Sequence, residues 1–126
     1  MTWKKSSDQL IEKFYENLEN YPSGELRKMF GYPCSFVNNN MFTGLHEENW
    51  VVRLREEDRE EMMEKYGAEP FEPVKGRIMR EYLALPGEIL EDSSLLSAWL
   101  KKSYDFVSSL PPKVKKAKRS KIVKGA

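Results

Sequence analysis

One cysteine and one histidine are all that the 126 residues contain of the two side chains most used for metal binding and nucleophilic catalysis. A single cysteine excludes an intramolecular disulfide and suits a reducing compartment. Cys34 lies in an apolar stretch with no neighbouring cation to depress its pKa, so it reads as a small hydrophobe and not as a nucleophile. His46 precedes Glu47 and Glu48, but consecutive residues at a hairpin end diverge, and no second His or Cys stands at ligand spacing. It also lacks a Ser or Cys partner in any recognisable nucleophile arrangement. No glycine-rich phosphate loop is present. Long apolar runs are missing as well. The longest uncharged stretch, residues 31–45, is too short and too polar to span a bilayer, and no signal-peptide core follows the N-terminal lysines. These absences predict a soluble, cytoplasmic protein with no cofactor, no metal, no membrane partner and no enzymatic activity.

What is present is enough for one packed domain. Forty per cent of the residues are hydrophobic, and 3 Trp, 6 Tyr and 6 Phe supply the aromatic bulk. A chain of this length buries roughly two-thirds of its unfolded surface. The organising stretch is Met29 to Leu54. Three runs of aromatic, β-branched and sulfur-bearing residues alternate there with Asn38-Asn39-Asn40 and with Glu47-Glu48-Asn49. Asparagine tolerates the left-handed backbone of a tight turn, so the stretch predicts a three-stranded antiparallel meander. Trp50, Val52 and Leu54 should face one side of it, Val51 and Arg53 the other. Gly44 in mid-strand predicts a bulge or a close backbone approach.

Helices flank the meander. Ser6-Ser7-Asp8-Gln9 has the spacing of a capping box, and Leu10, Phe14 and Leu18 then recur every four residues as one buried stripe. Residues 55–66 form a charged helix with Glu56, Glu57 and Asp58 at its start, Lys65 near its end and Gly67 as its stop. Its carboxylates, Glu60, Glu61 and Glu64 included, read as a solvated face. Pro70 and Pro73 confine residues 69–73 to an edge strand, and Ile78 to Leu85 form another strand. Residues 88–91 make one helical turn. Asp92 or Ser93 then caps a last helix, whose buried stripe is Leu96, Trp99, Leu100, Ser103, Val107 and Leu110. The result is an α+β fold: a two-layer sandwich of α-β-β-β-α-β-β-α order with a largely antiparallel sheet.

Several collinear stretches resemble the TfoX N-terminal domain family. They are Arg27-Lys28-Met29-Phe30-Gly31, Asn40-Met41-Phe42-Thr43-Gly44-Leu45, Pro70-Phe71-Glu72-Pro73, Gly76-Arg77-Ile78-Met79-Arg80-Glu81-Tyr82 with Leu85-Pro86, and Trp99-Leu100 before Leu110-Pro111-Pro112-Lys113. The resemblance implies the two-layer fold of that family, whose fold class includes the type III secretion chaperones. It also implies kinship with the TfoX/Sxy regulators of natural competence, which act with the cyclic-AMP receptor protein at promoters. Those regulators carry a second helical domain, where this chain has a basic tail, and Tyr32 stands where the family commonly has a second glycine. The expected organisation is a TfoX N-terminal-like domain over residues 1–112 and a basic, disordered tail over residues 113–126.

Charge is divided between these two parts. The tail holds Lys113, Lys115, Lys116, Lys118, Arg119, Lys121 and Lys124 with no acid, and residues 1–112 hold 14 basic against 20 acidic side chains, net −6. Lysines without interleaved aromatics can neutralise phosphates but cannot stack or read bases, so any nucleic-acid binding would be weak and non-specific. In the body the best candidate site is Arg53, Arg77 and Arg80 with Tyr82 and Trp50. On one face of neighbouring strands these would make a cationic patch with aromatic walls, suited to an anionic ligand or an acidic partner. Their alternative is pairing with Glu72, Glu81 and the acidic helix. The leading functional reading is a non-catalytic protein-interaction or regulatory module that forms a homodimer or docks a partner such as a transcription regulator. Nucleic-acid association through the tail, and an anionic-ligand binder or enzyme at Arg53/Arg77/Arg80, are the alternatives.

Overall fold

Residues 6–22, 24–29 and 31–111 are described by a computed structural model. In chain order the elements are α1 (Asp8–Leu18), β1 (Glu25–Met29), β2 (Tyr32–Val37), β3 (Asn40–His46), β4 (Asn49–Arg53), α2 (Glu56–Tyr66), β5 (Pro70–Val74), β6 (Arg77–Ala84), α3 (Gly87–Leu90) and α4 (Ser93–Ser108). The strands form one six-stranded antiparallel sheet in the order β1-β2-β3-β4-β6-β5. The α+β class and largely antiparallel sheet read from the sequence are therefore correct. One strand was not anticipated. Glu25 to Met29 is too charged to announce itself, yet it pairs with β2 from Glu25↔Phe36 to Met29↔Tyr32. Gly31, with φ +86°, supplies the left-handed backbone that turns one strand into the other.

The turn chemistry explains the rest of the meander. Asn38 and Asn39 both adopt positive φ, 55° and 62°, as a two-residue hairpin turn demands. Glu47 is also left-handed, at 55°, and the start of α1 holds that turn in place. Ser6 donates its hydroxyl to the Glu47 carbonyl at 2.5 Å, and the Glu48 carboxylate accepts the Ser7 N–H at 2.6 Å. The α1 cap is accordingly Ser7, whose Oγ accepts from the Leu10 N–H, and not Ser6. Glu48, distant in sequence, does what Gln9 was expected to do for the cap residue's own N–H. The α2 start has no side-chain cap, and Gly67 ends that helix left-handed, as its position suggested. Asp92 caps α4 by accepting from the Ser94 and Leu95 N–H groups.

One face of the sheet carries the helices. Phe14 and Leu18 of α1, Met62 of α2, Ile89 of α3, and Leu96, Trp99, Leu100 and Val107 of α4 bury against Phe42, Trp50, Val52, Leu54, Leu83 and Leu85. Phe14 meets Trp50 with ring centroids 5.1 Å apart. Three buried polar side chains in this layer are paired, whereas the buried Ser35 hydroxyl has no hydrogen-bond partner among the described residues. The Trp50 indole donates to Thr43 Oγ1 at 2.8 Å, that hydroxyl donates to the Val51 carbonyl at 2.7 Å, and Ser103 donates to the Phe42 carbonyl at 2.7 Å. Pairing of this kind removes the penalty of burying a polar atom in an apolar layer. Phe42 is the extra residue of a register shift, since Ser35 faces Thr43 while Phe36 faces Met41. The shift falls next to Gly44, not at it. Gly44 instead permits a close approach: a Cβ there would stand 2.9 Å from the Cys34 Cβ.

Candidate interaction surface

Among the described residues, no helix covers the opposite face of the sheet. Cys34, Gly44, Val51 and Ala84 stand in one row across β2, β3, β4 and β6, on the side away from Trp50. Large register shifts in the β5–β6 pair, from Pro70↔Leu83 to Phe71↔Met79, bend that hairpin. It brings Phe71 onto His46, ring centroids 5.4 Å apart, and His46 also meets Tyr32 at 5.1 Å. Beneath lies a cavity of about 120 Å³ to which all six strands contribute, through Met29, Cys34, Met41, Val51, Phe71 and Met79 among others. Its lining is almost wholly apolar. Cys34 is 2% exposed, donates weakly to the Arg27 carbonyl at 3.4 Å, and has its thiol pushed up to about 11 by burial, against a smaller downward pull from Arg27. A thiol that stays protonated is a packing group, not a nucleophile.

The proposed arginine patch is brought together only in part. Arg53 and Tyr82 face each other across β4 and β6, with the guanidinium 5.9 Å from the phenol ring. Arg53 is ion-paired to Glu81 at 2.6 Å, the alternative that the sequence left open. Tyr82 donates its hydroxyl to the Met41 carbonyl at 2.8 Å; burial raises its pKa and Arg53 pulls it back. Arg80 and Arg77 are exposed on β6, and neither makes an ion pair among the described residues. At about 3.3 Å per residue, Arg77 lies roughly 16 Å along the strand from Tyr82, so the cations form a strip and do not converge. Glu72 is engaged elsewhere, accepting the Gly76 N–H at 2.6 Å. Trp50 does not reach the patch. It is fully buried beneath α1 on the helix face, because its register places it opposite Leu45 and out of phase with Arg53. Lys113, Lys115, Lys116, Lys118, Arg119, Lys121 and Lys124 lie outside the described residues.

Sequence reasoning placed an edge strand at residues 69–73, where β5 is indeed an outer strand, but it missed β1 and the exposed apolar residues at both ends of the sheet. Leu26 and Met29 on β1, and Val74 and Ile78 on the β5–β6 hairpin, are 51%, 40%, 41% and 55% exposed. The only signal for them was an apolar residue set among charges, which is too common to interpret without a fold. Among the described residues, no three His, Cys, Asp or Glu side chains cluster as metal ligands, and no helix is long and apolar enough to cross a membrane.

The sequence profile of the TfoX N-terminal domain matches residues 16–107. That span runs from within α1 to the end of the buried stripe of α4, so it includes the whole sheet. A search of the curated proteins finds no match to the chain.

Proposed function

Because the chain belongs to the TfoX N-terminal domain family, we propose that it works as a non-catalytic interaction module for a protein partner in transcriptional or competence regulation. The reading is carried by the placement of exposed apolar residues at both ends of an open sheet: Leu26 and Met29 on outer strand β1, Val74 on outer strand β5, and Ile78 on β6 beyond the stretch that pairs with β4. Single exposed apolar residues are ordinary, but edge strands also offer unpaired backbone groups, so these positions can accept a partner's strand or loop. Arg77 and Arg80 flank Ile78 on the same strand, which favours an acidic partner surface.

A photo-crosslinking residue at position 78 tests this in cells, with one at Lys101, an exposed position on α4, as the control. The expected result is a discrete adduct with a transcription-associated protein at position 78 only, weakened by R77E/R80E. Equal labelling from both positions, or turnover of a substrate by the purified chain, would reject the reading.

A further inference from the structure

All five residues of β1 are exposed, and β1 is an outer strand of the sheet. Two residues separate Met29 from its register partner Tyr32, and a two-residue hairpin connection closes on a hydrogen-bonded pair. Hydrogen-bonded and non-bonded pairs alternate along an antiparallel ladder. Met29, Arg27 and Glu25 therefore spend their backbone groups on β2, while Leu26 and Lys28 direct theirs outward. Glu25, Arg27 and Met29 share the cavity side of the sheet; Leu26 and Lys28 share the helix side.

We propose that this edge is a homodimer interface, in which β1 pairs antiparallel with β1 of a second copy about a twofold axis through Leu26. The inference rests on the interaction-module reading and names one partner for one of its edges. Side chains of facing residues must point to the same side of a continuous sheet, which limits the symmetric registers to the five with one β1 residue on the axis. Centring on Lys28 opposes two lysines, and centring on Met29 pairs only the hairpin end of the strand. Placing Glu25 on the axis opposes two glutamates, and placing Arg27 there opposes two arginines; like charges directly opposite are destabilising. Placing Leu26 on the axis opposes Leu26 to itself on the helix side and sets Glu25 against Arg27 of the other copy, twice, on the cavity side. Lys28 then faces Gly24, where no side chain obstructs it.

The backbone agrees with that register. Leu26 N–H and C=O point outward and exchange two reciprocal bonds across the axis. Gly24 already donates its N–H to the Tyr21 carbonyl at 2.9 Å, leaving its own carbonyl to accept from Lys28 N–H. In the single chain, Arg27 is held 2.9 Å from Glu25 and 4.4 Å above the Phe36 ring. Arg27 also donates to Asn39 Oδ1 at 3.0 Å, so its guanidinium stands on the cavity face and leans over β2, and it swings outward to meet Glu25 of the second copy. Charged residues on an edge strand ordinarily guard it against indiscriminate pairing; here the same charges admit an identical strand in one register. The edge is short, so the dimer is weak and its population depends on concentration.

Light scattering on the full chain, from micromolar to millimolar concentration, tests the proposal. The expected result is a concentration-dependent dimer in the unaltered chain. E25R alone opposes arginines, R27E alone opposes glutamates, and each should weaken association about tenfold or more. The double variant E25R/R27E should restore the dimer. A mixture of the two single variants should form heterodimers that neither forms alone. In addition, L26C should oxidise to a disulfide-linked dimer, since the two positions stand directly across the axis at about 5.5 Å between Cα atoms. A chain monomeric at millimolar concentration, or single and double variants that behave alike, would overturn the inference. Adducts at position 78 that persist in a strictly monomeric chain would sink the dimer alone and leave the interaction module standing.

Discussion

The two faces of the sheet are built from the same strands and differ by one residue of phase. On the helix face, Phe14, Trp50, Val52, Leu83, Leu96 and Leu100 are fully buried and the Trp50–Thr43 pair is satisfied. On the other face, Val51 and Cys34 are also buried, yet they border a part-open cavity of about 120 Å³ beside a bent hairpin. Burial alone does not distinguish the layers. What distinguishes them is that helices interdigitate with a sheet at near-crystalline density, whereas a curled hairpin leaves space.

The largest effect that would sharpen this comparison is expected at Trp50. Trp50→Ala should cost about 3–5 kcal/mol in urea unfolding, because it opens a cavity in the packed layer and removes the indole donor from the buried Thr43 hydroxyl. A loss well below that would mean that the helix face is loosely packed too.

Cys34 gives a pH test of the second face. Its thiol ionises less readily in the folded chain than at its ordinary value of 9.0, with the folded value near 11. The folded state thus holds the proton more tightly. The associated stability is complete below pH 9 and is lost as pH rises through 11, a change of about 2–3 kcal/mol. Cys34→Ala should flatten the stability profile between those limits; an unchanged slope would show that the thiol is open to water.

Smallest but most direct is a matched pair at adjacent positions. Val52→Ile adds a methylene to the filled layer and should destabilise by about 1–3 kcal/mol. Val51→Ile adds the same group beside the cavity and should be neutral or stabilising by up to about 1 kcal/mol. Equal penalties at both positions would remove the distinction between the faces.

Most of the architecture was legible because its signals are local. The Asn38-Asn39 turn, the Gly67 stop, the Asp92 cap and the α4 stripe each depend on residues within a few positions of one another. The α1 cap was misread by one residue because its second partner, Glu48, comes from the β3–β4 turn. The arginine patch was legible as chemistry but not as geometry. Arg53 and Tyr82 do face each other, while Trp50 belongs to the opposite layer and Arg77 lies far along the strand. The exposed edge strand carried no hydrophobic pattern by which to find it, since a strand exposed at every residue needs no alternation.

Periodicity, turn residues and capping chemistry, all present in the linear order of side chains, determined an α+β domain with an antiparallel sheet and helices along one side. Tertiary structure alone decided which face would be sealed by helices, where the hairpin would bend to border a cavity, and which strand would be left at the edge. Those outcomes depend on contacts between residues far apart in the chain, and on the register that brings them together.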